Sequence, residues 1–361
     1  MLNAFYCKTK IISGAGATVA LKELGSRRFL LVSDPYFTRD GTARQIVQLS
    51  GAKESQIFDG VQPDPSVELV AAGTAVMKEF APDTVCALGG GSAMDCAKAM
   101  VYFSGQTVRL VAIPTTSGSG SEVTNFTVLT HGDTKHPLVD EKLQPDVAIL
   151  DSGLLKQLPK GLIAECGFDV LAHSLESYVA TGAGAVSDVL AKAAFCRAYG
   201  NLPASYGGCQ EVRQQIHEAS TMAGMAFSQA GLGLCHAMAH VLGGAFHLPH
   251  GRLNAILLPE VVSCNSAACQ SKYADLASAA GLGGSAHMLA VRNLKNGLIR
   301  LRRQLQLPET LSQTGVSPRQ IWQQADSLTE KILEDPCCRT NPLPVTGSLV
   351  RKVLEAVAGR G

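Results

Sequence analysis

No window of this sequence reaches the roughly 18 to 20 uninterrupted apolar residues that a membrane-spanning helix needs. The opening MLNAFYCKTKIISGAG meets charge early, after an apolar run too short for a secretory signal. The 11 cysteines form no CxxC pair and no zinc-knuckle spacing, which argues against a disulfide scaffold and for a reducing, cytoplasmic setting. Neither sign of charge dominates: 31 basic and 30 acidic residues leave +1, so nothing points to a nucleic-acid or anionic-membrane partner. A short basic cluster, Arg300, Arg302 and Arg303, reads as one solvated helix face. Internal repeats and low-complexity tracts are also missing.

What remains is a chain of 361 residues, 46% apolar and 17% charged, which is long for one core and suits a folded protein of two domains. Its halves differ in pattern. Arg28 to Asp34, Thr84 to Leu88, Val108 to Ile113 and Val147 to Asp151 are short continuous apolar runs, alternating with glycine-rich turns and helical stretches such as MDCAKAMVYF. Such runs indicate a parallel α/β sheet buried on both faces. Alternation around His131-Gly132-Asp133 suggests an inserted β-hairpin. After about Pro159 the strand signals stop and helical periodicity takes over. We therefore expect an α/β domain over 1–160 and an all-helical one over 161–361.

Two loops in the first half could hold a dinucleotide. Gly89-Gly90-Gly91-Ser92 lies where a strand ends and a helix starts, so its backbone could approach a phosphate at the helix N-terminus. It is not the GxGxxG fingerprint, and tight-turn geometry explains it equally well. Thr115-Thr116-Ser117-Gly118-Ser119-Gly120-Ser121 follows the next strand, and the two loops would converge on one crevice. Asp34 could bond ribose hydroxyls and repel a 2′-phosphate, favouring NAD over NADP; it could equally be a turn acid capping a helix before Pro35.

The second half concentrates histidine. Asp169 and His173 are four apart in FDVLAHSLESY, on one helical face among apolar residues. GLGLCHAMAHVLGGAFHLPHG adds His236 and His240, again four apart, then His247 and His250. We expect Gly243-Gly244 and Leu248-Pro249 to break that helix and fold His250 back beside His236. Asp169, His173, His236 and His250 together offer one oxygen and three nitrogens, a set suited to Fe2+ or Zn2+. One Asp–His pair alone reads more simply as a core hydrogen bond, and spacing does not choose among the histidines. His247 is expected to be structural or near the substrate.

GGGSAMDCAKA at 89–99, PTTSGSGSEVT at 114–124, FDVLAHSLE at 168–176 and CHAMAHVLGGAFHLPHG at 235–251 resemble the iron-dependent (group III) alcohol dehydrogenases. The likeness spans nearly the whole chain, and within the family it is strongest to the 1-propanol dehydrogenases associated with bacterial microcompartments. It implies a Rossmann-like dinucleotide-binding domain, an all-α metal-binding domain and an active site in the cleft between them. It implies Asp169, His173, His236 and His250 as metal ligands, with His240 near nicotinamide and substrate. For NAD(H) it implies Asp34, Asp64, Gly91, Ser92, Thr115, Thr116, Ser119, Thr124 and Lys135, and for the alcohol pocket Phe227 and Cys337. The chain departs from the family pattern at Phe168, where a smaller residue is usual, and at Leu343, where an arginine is usual.

The expected activity is interconversion of short primary alcohols, propanol and ethanol, with their aldehydes, using NAD(H) and iron, with His240 as candidate proton relay or as a residue that shapes the pocket and orients the nicotinamide. A homodimer or larger assembly, in the cytoplasm or inside a microcompartment with its enzymes and shell, follows from the resemblance. Two rivals stand beside it. A metal- and NAD-dependent lyase resembling dehydroquinate synthase would need basic residues for an anionic substrate, and the motifs are apolar. A non-catalytic microcompartment partner would have no use for a buried aspartate and three histidines.

Overall fold

The computed structural model describes residues 4–132 and 134–359, without the side chains of Thr134 and Lys135. The Asp133 position of the expected hairpin turn lies outside the described residues. The chain divides into Tyr6–Leu158 and a second unit made of the residues from Pro159 on together with Ala4 and Phe5.

The first unit holds every strand: β1 (Lys10–Ser13), β2 (Arg28–Ser33), β3 (Glu54–Phe58), β4 (Thr84–Gly89), β5 (Arg109–Pro114), β6 (Phe126–His131), β7 (Thr134–Val139) and β8 (Val147–Leu150). Between them lie α1 (Pro35–Arg39), α2 (Thr42–Ser50), α3 (Val67–Phe80) and α4 (Gly91–Ser104). The sheet runs β1-β8-β5-β4-β2-β3 and is parallel throughout. Successive side chains of a strand point to opposite faces. Leu30, Val32, Val85, Ala87, Leu110 and Ala112 accordingly pack with Val70, Met77 and Met94 on one side. Phe29, Leu31, Cys86, Leu88, Val111 and Ile113 pack with Leu21, Ala43 and Ile46 on the other. Both faces are buried, which is why these strands read as unbroken apolar runs. The edge strands β1 and β3 had no such signal, since KIIS and ESQIF leave most of their side chains partly or fully exposed.

β3 lies outside β2, whereas β4 lies on the other side of β2 and the chain continues from there to β5 and β8. The strand order thus reverses between β2 and β4, where open α/β sheets bind ligands at the carboxyl ends of the strands. β6 and β7 form the separate antiparallel hairpin, with His131 opposite Thr134.

Asp151 ties the end of β8 to the turn after β1. Its carboxylate accepts bonds from the Gly16 amide at 2.8 Å, the Thr18 amide at 3.1 Å, the Thr18 hydroxyl at 2.8 Å and the Gly153 amide at 2.9 Å. Burial pushes its carboxyl upward, but these donors outweigh it and hold the group below the ordinary carboxylate range. A depressed folded pKa means the stabilisation is present above the unfolded value and is lost as pH falls through the folded one. Asp151→Ala is therefore expected to cost about 1–3 kcal/mol near neutrality in urea unfolding. The gap to the parent should close in acid; a gap that stays constant with pH would contradict this account.

The second unit contains α5 (Lys160–Val179), α6 (Ala185–Tyr206), α7 (Arg213–Ala230), α8 (Leu234–Phe246), α9 (His250–Ala279), α10 (His287–Gln304), α11 (Pro318–Gln323), α12 (Ala325–Glu334) and α13 (Gly347–Ala358). No strand follows β8 among the described residues. Helix α5 is buried on all sides from Gly167 to Val179, so any polar side chain there must find a partner inside.

Two local expectations need correction. Gly243-Gly244 does not break α8, which runs through to Phe246; the break is made by His247, in left-handed backbone at φ 53°, and by Pro249. Nor is Arg302 solvated: it is buried, donates to the Ala255 and Ile256 carbonyls and pairs with Glu309, leaving Arg300 and Arg303 outside. Among the described residues no helix is long and apolar enough to cross a membrane.

Candidate functional site

In the first unit, the segments that follow the adjacent strands β3, β2, β4 and β5 carry the expected cofactor residues, apart from Lys135 in the hairpin. Gly89, at φ 153°, ends β4; a side chain there would bring its Cβ within 2.6 Å of the Ala93 Cβ, so only glycine lets α4 start this close. Helix α4 begins after Gly90 with no side chain capping its first N–H groups, which leaves donors and the positive end of the dipole for an anion. Gly91 faces Ser119, whose Cβ and hydroxyl would stand 3.5 Å from a Cβ at that position, and Gly90 faces Thr116. The Asp64 amide donates to the Ser92 hydroxyl at 3.3 Å, from a residue in left-handed backbone at φ 54°. The two glycine loops and Asp64 are therefore brought together, in a cradle that suits a pyrophosphate.

Asp34, at the end of β2, caps α1: its Oδ1 accepts the Tyr36 amide at 2.8 Å. The capping reading is thus correct, and Oδ2, 3.8 Å from where a Gly89 Cβ would sit, is left for a second partner. Thr115 is buried, its amide bonded to the Gly89 carbonyl. Thr124 is fully buried, and its hydroxyl is engaged by Lys98 at 3.0 Å. Lys98, unremarked in the sequence, is itself 1% exposed and also bonds Ser121 and the Thr124 and Phe126 carbonyls, so it clamps the second loop to the hairpin. Lys135 stands opposite Thr130 in that hairpin, and its side chain lies outside the described residues.

In the second unit, Asp169 is the centre of the histidine cluster. Its Oδ1 lies 3.4 Å from His250 Nε2, 3.6 Å from His236 Nε2 and 3.8 Å from His173 Nδ1. These separations exceed those of ordinary hydrogen bonds, about 2.7–3.2 Å. They match the spacing of ligand atoms around a tetrahedral ion with bonds of about 2.0–2.2 Å, which is about 3.4 Å. Asp169, His173 and His236 are buried, and His173 stacks on both His236 and Phe227 at 4.4 Å between ring centres. Burial opposes the Asp169 charge, yet His173, His250 and His236 hold its carboxyl far below the ordinary range. Burial likewise opposes a proton on His236, but Asp169 and Glu176 hold it there up to about 9.

Glu176 was missed, although it continues the Asp169–His173 face of α5 one turn on. Its Oε2 is 2.6 Å from His236 Nδ1, which gives the Nδ1 proton an acceptor and turns Nε2, the nitrogen that would face a metal, toward Asp169. The same carboxylate accepts the Gly233, Cys235 and His236 amides, and Asn341 accepts the Leu234 amide, so the first turn of α8 is fully capped. Asn254, four residues after His250, donates to Asp169 Oδ1 at 2.8 Å. Two carboxylates, Asp169 and Glu176, face the three imidazoles, so a divalent cation at Asp169 would take the place of the His236 proton in balancing their charge. The donor set therefore suits such an ion.

His250 reaches this centre because α9 starts directly against α5. A Cβ on Gly251 would lie 2.2 Å from the Glu165 carbonyl oxygen, and Arg252 pairs with the Glu165 carboxylate. His240 is separate: it is half-exposed, stacks on His250 at 5.2 Å, and its Nδ1 is 2.9 Å from Asp335 Oδ2. Cys337 is partly buried, its amide bonded to Asp335 Oδ1 at 2.8 Å. His247 makes the left-handed turn after α8, the structural one of the two roles expected of it.

Comparison with known proteins identifies the family. Residues 8–152 match the family described as iron-containing alcohol dehydrogenase, and residues 163–358 match the C-terminal region of the Fe-containing alcohol dehydrogenase family. The chain is 39% identical to 1-propanol dehydrogenase PduQ of Citrobacter freundii, over 98% of this chain and 99% of that protein. It is 37% identical to an NADPH-dependent butanol dehydrogenase of Clostridium saccharobutylicum, over 96% of each. Its fold superposes on the iron-containing alcohol dehydrogenase of Thermococcus thioreducens with a TM-score of 0.92 at 32% identity, covering 98% of this chain and 99% of the other. The chain belongs to the iron-containing alcohol dehydrogenase family.

Proposed function

We propose that this NAD(H)-dependent alcohol dehydrogenase reduces short aliphatic aldehydes, propanal and acetaldehyde foremost, and holds Fe2+, or Zn2+ in its place, on Asp169, His173, His236 and His250. The convergence of three ring nitrogens on Asp169 Oδ1 at 3.4–3.8 Å carries the metal assignment. The likeness to a 1-propanol and a butanol dehydrogenase supports the substrate class. When bound, the metal supplies Lewis acidity toward a carbonyl oxygen and NADH supplies the hydride.

The chain's own groups do the rest. Glu176 and Asn254 orient the ligands, and Phe227, stacked on His173, keeps one side of the cluster dry. His240 commits Nδ1 to Asp335, which leaves Nε2 to hand a proton to the nascent alkoxide or take one from solvent. His240→Ala is expected to retain iron and lower kcat by about 10²-fold. Iron loss equal to that of His250→Ala would instead make His240 a ligand.

The glycine cradle of α4, with Gly91, Ser92 and Ser119, supports a pyrophosphate position. Thr115, Thr116, Thr124 and Lys135 complete the proposed cofactor loops. Asp34 is proposed to set coenzyme choice, because a carboxylate there repels a 2′-phosphate. The NADPH-dependent relative makes that choice worth measuring. Anaerobic, iron-loaded protein should oxidise NADH with two- to four-carbon aldehydes and prefer it to NADPH; Asp34→Gly should relax that preference. No oxidation of NADH with any of these aldehydes would refute the proposed activity, and unchanged selectivity would remove Asp34 from this role. A place among microcompartment enzymes, and a homodimer or larger assembly, are proposed from the family resemblance alone.

A further inference from the structure

Beside the Asp169 centre lies a second group of metal-ligating atoms. His240, Asp335 and Cys337 each offer one donor, and the three donors lie within 4.8 Å of one another. We propose that they form a second, softer metal site that takes Zn2+ or Co2+ through one imidazole, one carboxylate and one thiolate.

The chemistry distinguishes this site from the first. Asp169 and its histidines present only oxygen and nitrogen, whereas this group contains sulfur, and thiolate selects zinc-like ions over the harder divalent ions. Three protein donors of His, Asp and Cys type leave a fourth tetrahedral position open, as in zinc sites that keep a solvent or substrate ligand. Bonds of about 2.0–2.3 Å put tetrahedral donors about 3.3–3.6 Å apart, so a spread of up to 4.8 Å closes with small side-chain rotations.

The backbone prepares the group. Asp335 opens the short turn Pro336–Thr340, and its Oδ1 is pinned by the Cys337 amide at 2.8 Å. Its Oδ2 is thereby aimed at His240 Nδ1, 2.9 Å away. Two of the three ligands are thus ordered before any ion arrives, which lowers the entropic cost of binding. Burial and Asp335 keep the Cys337 thiol protonated, and a bound cation expels that proton as the metal–sulfur bond forms. His240 is half-exposed, which gives an ion a way in.

Occupation would take His240 Nδ1 from Asp335 and place a second cation beside His250. Excess zinc should therefore inhibit the iron-loaded enzyme, a consequence that rests on the proton role proposed for His240. The site itself does not rest on that role.

The test is anaerobic titration of the iron-loaded protein with Co2+, followed by near-ultraviolet absorption. A sulfur-to-cobalt charge-transfer band can come only from a thiolate ligand, so the Asp169 centre contributes none to it. The wild type is expected to develop this band with one equivalent of Co2+. Cys338→Ser should keep it, as should Asp169→Ala titrated without iron, and Cys337→Ser should abolish it. His240→Ala, at a half-exposed position with little bearing on folding, should weaken Co2+ binding by about tenfold or more. Absence of the band in the wild type, or its survival in Cys337→Ser, would overturn the proposal.

Discussion

Asp169→Ala is expected to leave the protein folded, almost free of iron, and slower in aldehyde reduction by about 10³-fold or more. The expectation follows from geometry. Three imidazole nitrogens on α5, α8 and α9 have one carboxylate oxygen in common, at 3.4–3.8 Å. Without that oxygen, three neutral rings must hold a divalent ion with no anionic ligand, in a site where the nearest remaining carboxylate, Glu176, bonds the far nitrogen of His236. The variant also strips Asn254 of its acceptor, at a cost of about 1–3 kcal/mol. Asp169→Asn separates the two effects, because it keeps shape and an acceptor oxygen while removing the charge. Metal analysis should find both variants depleted, with Asp169→Asn closer to wild type in metal-free thermal unfolding. A full equivalent of iron in either would show that the ion is held elsewhere.

Glu176→Gln is the second large effect. The glutamate carboxylate accepts from His236 Nδ1 and from three amides at the start of α8. A glutamine has one oxygen and one donor in place of two acceptors, so one of these bonds must become a donor facing a donor. If the NH2 faces His236, the ring loses the partner that fixes its tautomer. Metal affinity is expected to fall about 10- to 100-fold. Turnover should recover toward the parent value as iron is raised to saturation, because the glutamate acts through His236 and touches no reacting atom. An unchanged metal affinity would contradict the role; a kcat that stays low at saturating iron would place Glu176 in the chemistry itself.

What the sequence revealed followed burial and spacing. Strands buried on both faces, such as Phe29–Val32 and Val85–Leu88, announce themselves as unbroken apolar runs, and β1 and β3 do not because an edge strand is half in solvent. Asp169 and His173 stand one helical turn apart, so their shared face was readable. Glu176 lay on that same face and was passed over, because a glutamate at a third turn looks like an ordinary helix former until His236 is seen against it. Asn254 and Asp335 could not be read at all: their partners lie 85 and 95 residues away. The Gly243-Gly244 pair misled for a different reason. Glycine weakens a helix by about 1 kcal/mol, and α8, capped by Glu176 and Asn341, tolerates it. Arg302 was not readable because charge usually marks solvent, whereas α10 turns this guanidinium onto the carbonyls of α9.

The central claim is that the Asp169 centre holds the metal on which aldehyde reduction depends. Its most direct test is anaerobic reconstitution of chelator-stripped protein with Fe2+, following bound iron and propanal-dependent NADH oxidation in the same samples. Activity should rise from near zero in proportion to iron and level off at one equivalent per chain, and His250→Ala should show neither binding nor activity. Full NADH oxidation by the stripped protein, or by iron-free His250→Ala, would contradict the account.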